Sequence, residues 1–379
     1  MNQKQKDAVT GFFVYGSSFL TVAILVVILG FIFIKGIPHI NLHFLTANYE
    51  NETTYVNIDA NQASKFSDIG LAGEFNEDGQ WEITSISSDS AVKGAVDMQG
   101  AAWKIKTGDV ITKVGSQDLE ALKDGTEEEK NAAVTAGFSE AENGQIRLKM
   151  TRLGGGIRPM VITTLYMILL SLLVAAPIGI LAAIYLNEYA KQGKVVTLIR
   201  FAVQNLAGIP SILYGLFGSL FFVQVCHMGY SILAGALTLS ILLLPVIIST
   251  TEEALKAIPM TYRESSLGLG ATKLQTISKV VVPNALPGIL VAVILSIGRI
   301  VGESAALLLT AGTVASIPGA LTGDSAAGAT LTIKAYTALK EEGNIGEACA
   351  IGVVLMVLVI LLNFASKMIT RKYLSKQGN

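Results

Sequence analysis

The 379-residue chain is poor in the residues that carry most enzyme chemistry. It has two cysteines, three histidines and 15% charged residues. Cys226 and Cys349 both fall at or inside apolar stretches, so neither a disulfide framework nor a cysteine metal site is expected. His39, His43 and His227 lack the His-Glu-x-x-His spacing that sets two imidazoles and a general base on one helix face, which excludes that form of metalloprotease. A serine hydrolase needs a Ser–His or Ser–Lys pair at membrane depth, and none is legible. No Walker A pattern is present, so the chain cannot hydrolyse ATP by that route. The net charge of −1 says little by itself; no nucleic-acid partner, metal or bound cofactor is expected.

Apolar length is what the chain has instead. Hydrophobic residues make up 51% of it, and its mean hydropathy is +0.54. The runs 8–34, 159–187, 201–226, 229–251 and 348–366 hold no charged residue, and each is long enough to cross a bilayer. A sixth, from 285 to about 310, is interrupted by Arg299 and Glu303. The first run exceeds the ~7–15-residue core of a signal peptide and has no small-residue cleavage site after it, so it reads as a retained anchor. With the N-terminus inside, thirteen Lys and Arg fall on the inner segments. The short outer loops hold Lys334 and Lys340, with Lys35 at a border. That bias predicts cytoplasmic N- and C-termini in a multi-pass plasma-membrane protein.

Residues 36–158 differ sharply, with 19 Asp/Glu against 11 Lys/Arg. This length suffices for a small core on the outer face. The polar stretch 45–64 reads as irregular. "WEITSIS", "DVITKV" and "IRLKMTR" alternate as strands, and "DSAVKGA" and "EEEKNAAVTAGF" read as helices.

The segment "RESSLGLGATKLQTISKVVVPNALPG", 263–288, lies between apolar spans on the inner side. Pro259 suits a first helical turn. Gly270 suits the left-handed position after a helix, and Thr272 with Gln275 forms a capping box. Two short helices are expected, the second ended by Pro283 and Pro287, with Arg263, Glu264, Lys273 and Lys279 as rim charges for a docking partner. The plainer reading is an interfacial helical loop, charged because it lies inside.

Three resemblances extend this reading. Glu264-Ser265-Ser266, three residues, Gly270, nine residues, then Val280-Val281-Val282-Pro283 resembles the cytoplasmic loop of ATP-binding-cassette importer permeases. That family's pattern is Glu-Ala-Ala, three residues, Gly, nine residues, Ile-x-Leu-Pro. The resemblance implies that Glu264, Ser265, Ser266, Gly270 and Pro283 couple to an ABC ATPase dimer that hydrolyses the ATP. "IKGIPHI", "GIPSILYGLFG" and "LSIGRIVGESAALLLTAG" resemble phosphate-importer permeases of the PstA type. They imply a mainly α membrane protein, a six-helix type I ABC importer permease bundle. A second homologous permease subunit, an extracytoplasmic phosphate-binding protein and membrane lipids are the implied partners. "DIGL", "ITSISSDSAVKGA" and "IKTGDVITKVGSQDL" resemble a bacterial PDZ domain, a small α+β fold, whose peptide loop would be Ile69, Gly70 and Leu71. The expected division is 1–40, first span; 41–155, insert; and 156–379, permease core with coupling helices at 257–283.

Arg299 and Glu303 stand four apart, hence on one helix face. A lone Arg at the bilayer centre costs roughly 2.5–3.5 kcal/mol, so Glu303 is the expected partner, and the pair is the expected substrate pathway. The alternatives are a purely structural ion pair, a permease for sulfate or molybdate, the sister phosphate subunit, or a membrane-anchored PDZ scaffold.

Overall fold

A lipid-facing segment must satisfy its backbone internally, which makes helix the form open to each long apolar run. The computed structural model describes residues 3–60, 63–76, 80–141, 144–323 and 325–377. They form two compact units, Met1–Thr46 with Ile157–Asn379, and Ala47–Gly156. The chain opens with α1 (Gln3–Gly36) and α2 (Leu42–Thr46), so the second unit begins at Ala47, where the sequence division sets 41.

That second unit holds β1 (Glu52–Asp59), β2 (Leu71–Phe75), β3 (Trp81–Ile86), β4 (Val96–Asp97), β5 (Asp109–Val114), β6 (Gln117–Asp118), α3 (Glu127–Ser139) and β7 (Gln145–Arg152). The sheet runs β2-β3-β5-β7-β1-β4, with β6 on β5, and every pairing is antiparallel. Val56 and Ile58 of β1 lie opposite Leu148 and Ile146 of β7, and all four are buried. Within stretch 45–64, expected to be irregular, residues 52–59 form a strand. Its Asn and Thr content hides a two-residue alternation that buries one face. A Thr126–Glu129 capping box opens α3. The Gly108–Asp109 turn is fixed by charge: Arg152 holds Asp109 through Nε and Nη2, both at 2.8 Å. Asp109 is 3% exposed.

The first unit resumes with α4 (Arg158–Ile184), α5 (Lys194–Ala207), α6 (Ser211–Gly218), α7 (Ile232–Lys256) and α8 (Met260–Gly268). It continues with α9 (Lys273–Thr276), α10 (Val282–Gly302), α11 (Ala305–Leu308), α12 (Leu331–Lys340) and α13 (Ile345–Gln377). Among the described residues, five helical stretches are long and apolar enough to span: 11–39, 158–189, 232–256, 273–302 and 345–368. A sixth exists only if 194–207 and 211–225 are counted together, and these are bent by 98°. The apolar run 201–226 is thus broken at the proline that interrupts it. Pro210 cannot donate to the helix, and its ring drives Ile209 away from helical torsions. The expected run to about 310 also stops early, at Gly302.

Small residues let these helices approach. A Cβ on Gly179 of α4 would lie 2.7 Å from Ile247 of α7, and Ser240 Oγ of α7 donates to the Ser171 carbonyl of α4 at 3.1 Å. Three wide π turns interrupt the helices, at Tyr185–Tyr189, Ser219–Val225 and Ile277–Val281.

Candidate functional site

The 257–283 segment forms a helical hairpin. α8 starts after Pro259, which sits one place earlier than expected, as the N-cap. Gly270 has φ +84°, a torsion that any Cβ would strain. Its N–H donates to the Leu267 carbonyl, and that of Ala271 to Ser266, closing the helix end. Thr272 and Gln275 make the reciprocal capping box. Ser266 Oγ meets Thr276 Oγ1 at 2.9 Å and ties the two arms together. Pro283 and Pro287 do not end the second arm; helix continues from 273 to 302. The π turn just before Pro283 widens the helix where a proline ring would otherwise strike the preceding carbonyl.

Arg263 is not a rim charge. Its side chain is 12% exposed and binds Glu188 at 2.6 Å. It also donates to the carbonyls of Ile258 and Leu255 at 2.7 and 2.9 Å. It therefore pins α8 to the end of α7 and to the π turn that follows α4. Arg200 and Lys256 likewise converge on buried Glu252, at 3.2 and 3.1 Å. Neither Glu188 nor Glu252 was legible as a site residue. The available signal was an acid at the end of an apolar run on the basic side of the chain. Glu264 and Ser265 are exposed, as are Met260, Leu267 and Leu269, the last at 90%.

At the other end of α10 the expected Arg299–Glu303 pair does not form. The helix stops at Gly302, and Glu303 is extended, at φ −84° and ψ 124°. An i,i+4 pair needs helix through both residues. Instead Glu303, 9% exposed, turns forward and accepts from the Ala306 N–H at 3.1 Å. Its backbone carbonyl accepts from Thr332 Oγ1 of α12 at 3.0 Å. Arg299 is half-buried. It makes no ion pair or side-chain hydrogen bond among the described residues and lies within electrostatic reach of the Tyr214 hydroxyl. That hydroxyl donates to the Leu206 carbonyl at 2.7 Å, beside the 98° bend. A cavity of about 170 Å³ adjoins this turn, lined by Ile212, Ser304, Ala305, Leu308, Ile333 and Tyr336.

In the second unit, Ile69 and Leu71 are both 2% exposed, and Gly70 between them has φ +78°. The loop is largely satisfied internally. Asp68 accepts from the Ser64 and Lys65 N–H groups at 2.9 and 3.2 Å, and the Gly70 N–H donates to Ser67. Ser90 Oγ donates to the Ile69 carbonyl at 2.6 Å.

A basic-flanked helical hairpin at one end of an apolar bundle, with an unmatched guanidinium deeper in it, fits the membrane component of a transporter. Residues 175–375 match the family model "Binding-protein-dependent transport system inner membrane component", and the chain belongs to that family. "Probable ABC transporter permease protein YqgI" of Bacillus subtilis is 40% identical over 159 residues, 42% of this chain and 54% of that one. "Phosphate transport system permease protein PstA 2" of Mycobacterium bovis is 35% identical over 209 residues, 55% and 69% respectively. The match thus spans about half the length of the first of these relatives. An inward-facing MetNI methionine ABC transporter chain superimposes over 57% of this chain and 94% of its own, at 23% identity and a TM-score of 0.46.

Proposed function

We propose that the chain is the PstA-type permease subunit of an ATP-driven phosphate importer. The observation that carries the reading is Arg299, a guanidinium in an apolar bundle with no protein counter-charge among the described residues. An oxyanion in transit would supply the missing partner, and a planar fork of donors suits phosphate. Glu303, four residues on and just past the end of α10, would keep the grip weak enough for release, as a conduit requires. The relatives named as phosphate permeases favour phosphate over sulfate or molybdate.

The helical hairpin would dock an ABC ATPase dimer through Glu264, Ser265, Ser266 and Gly270, with Pro283 joining the hairpin to α10. The exposed Met260, Leu267 and Leu269 give that surface an apolar centre. ATP would be hydrolysed by that partner, and no cofactor by this chain. A second homologous permease subunit, an extracytoplasmic phosphate-binding protein and membrane lipids complete the assembly, with both termini cytoplasmic in a bacterial plasma membrane.

For the 47–156 unit we infer a PDZ-like peptide-binding role on the edge of β2, which pairs only with β3 among the described strands. An extended peptide can add to such an edge. Because the Gly70 N–H is already taken by the Ser67 carbonyl, the strand edge is the favoured contact over the Ile69–Gly70–Leu71 loop.

The test is labelled-phosphate uptake by the complete transporter. Arg299→Ala should lose uptake at least about 100-fold while still retaining the ATPase in a pull-down. Normal uptake by that variant refutes the pathway role. Competition by sulfate or molybdate at equal strength would reassign the anion.

A further inference from the structure

We propose that Lys334 is a positioning residue for the anion pathway: its ion triad with Glu342 and Glu347 holds α12 in the place that sets the turn after α10. The proposal rests on the reading of Arg299 as a pathway residue.

α12 has ten residues, about 15 Å of helix, too short to fix itself across a bilayer. Its position must come from side contacts. On one side, Lys334 Nζ lies 2.5 Å from Glu342 Oε1 and 3.4 Å from Glu347 Oε1. The Lys334 side chain is 3% exposed and Glu347 16%. An ammonium this buried is tolerated only with its carboxylates in place. Asn344 holds Glu347 still, donating to Oε2 at 3.1 Å and accepting from the Glu347 N–H at 3.0 Å.

Two residues earlier, about 200° around the helix, Thr332 donates to the Glu303 carbonyl. Leu331 N–H donates to Thr164 Oγ1 of α4 at 3.0 Å. Ile333 and Tyr336 of the same short helix wall the cavity against Ser304 and Ala305. One face of α12 is therefore locked to the start of α13, and the other holds the segment that follows Arg299. Releasing Lys334 leaves Thr332 free to drift from Glu303, and the turn that presents Arg299 loses its outer support.

Neutralising the whole triad separates positioning from stability. Replacing one partner strands a buried charge, whereas replacing all of them leaves none. In the complete transporter in proteoliposomes, Lys334→Met/Glu342→Gln/Glu347→Gln should reach wild-type abundance yet raise the KM for phosphate about tenfold. Lys334→Arg should stay near wild type. Thr332→Val should raise KM in the same direction, and combining it with the triple variant should add little. A second readout is independent of the substrate. In a Cys226→Ser/Cys349→Ser background, Ser304→Cys should react with an impermeant maleimide several-fold faster in the triple variant than in Lys334→Arg. A triple variant with normal abundance, KM and labelling overturns the proposal. If the wild type takes up no phosphate, the substrate assignment fails, and the labelling alone decides the role of Lys334.

Discussion

Two arginines of the membrane unit occupy opposite electrostatic situations. Arg263, in the helical hairpin, is enclosed by Glu188 and two backbone carbonyls. Arg299, near the end of α10, has neither a carboxylate nor a carbonyl of its own among the described residues. A buried pair such as Arg263–Glu188 adds modest net stability, because desolvation offsets most of the attraction, but it specifies one arrangement strongly. That holds the hairpin to the ends of α4 and α7 in one arrangement. An unpaired guanidinium specifies no arrangement. The same side chain type thus fastens one region and is left without a partner among the described residues in the other.

The sharpest test of that contrast is stability rather than transport. Arg263→Met leaves Glu188, 8% exposed, without its cation, and should cost about 3–5 kcal/mol. Thermal unfolding in detergent would show it, and Glu188→Leu added to the same chain should recover much of the loss. Arg299→Met strands nothing and should melt at or slightly above the wild-type temperature. Equal losses at both positions would mean that Arg299 is held by a protein group after all, and the contrast would fail.

How much of this was legible follows from the range of the interactions. The hairpin reads from local grammar: Gly270 past one helix, Thr272 and Gln275 opening the next. Each of those devices acts within four residues. Arg299 and Glu303 also look local, yet their pairing depended on helix persisting beyond Gly302. The chain there is committed elsewhere, to Ala306 and, through α12, to Thr332. The interruption at Pro210 is legible, since proline cannot continue a helix, but the size of the bend, 98°, is not. β1 was hidden by its polar face, and only the pairing with β7 reveals the buried one. Arg263–Glu188, Arg200–Glu252 and Lys334–Glu342 join residues 8 to 75 positions apart, and no spacing rule reaches that far.

The second unit offers an intermediate case. Arg152 and Asp109 pair as closely as Arg263 and Glu188, but the Arg152 side chain is 25% exposed and stacks 4.9 Å over Trp103. Solvent screens part of what Asp109 supplies. Asp109→Ala should therefore cost less than the loss of Arg263, about 2–3 kcal/mol, in denaturant unfolding of the 47–156 unit. A loss as large as that for Arg263 would show that exposure does not grade these pairs.

Asp68 marks the weak end of the same scale. Its carboxyl is held below the ordinary 3.8, foremost by the Ser64 backbone N–H, with help from the Ser64 hydroxyl and Lys65. A lowered folded pKa means that the unfolded chain binds the proton first. The stabilisation is therefore full above 3.8 and fades as pH falls through the folded value. Asp68→Asn should lose it at neutral pH and flatten the acid limb of the unfolding curve, while leaving the midpoint near pH 7 only slightly lower. The group is fully exposed, so the change should be the smallest of those considered. An unaltered acid limb would mean that the Ser64 and Lys65 amides find other acceptors once the carboxylate is gone.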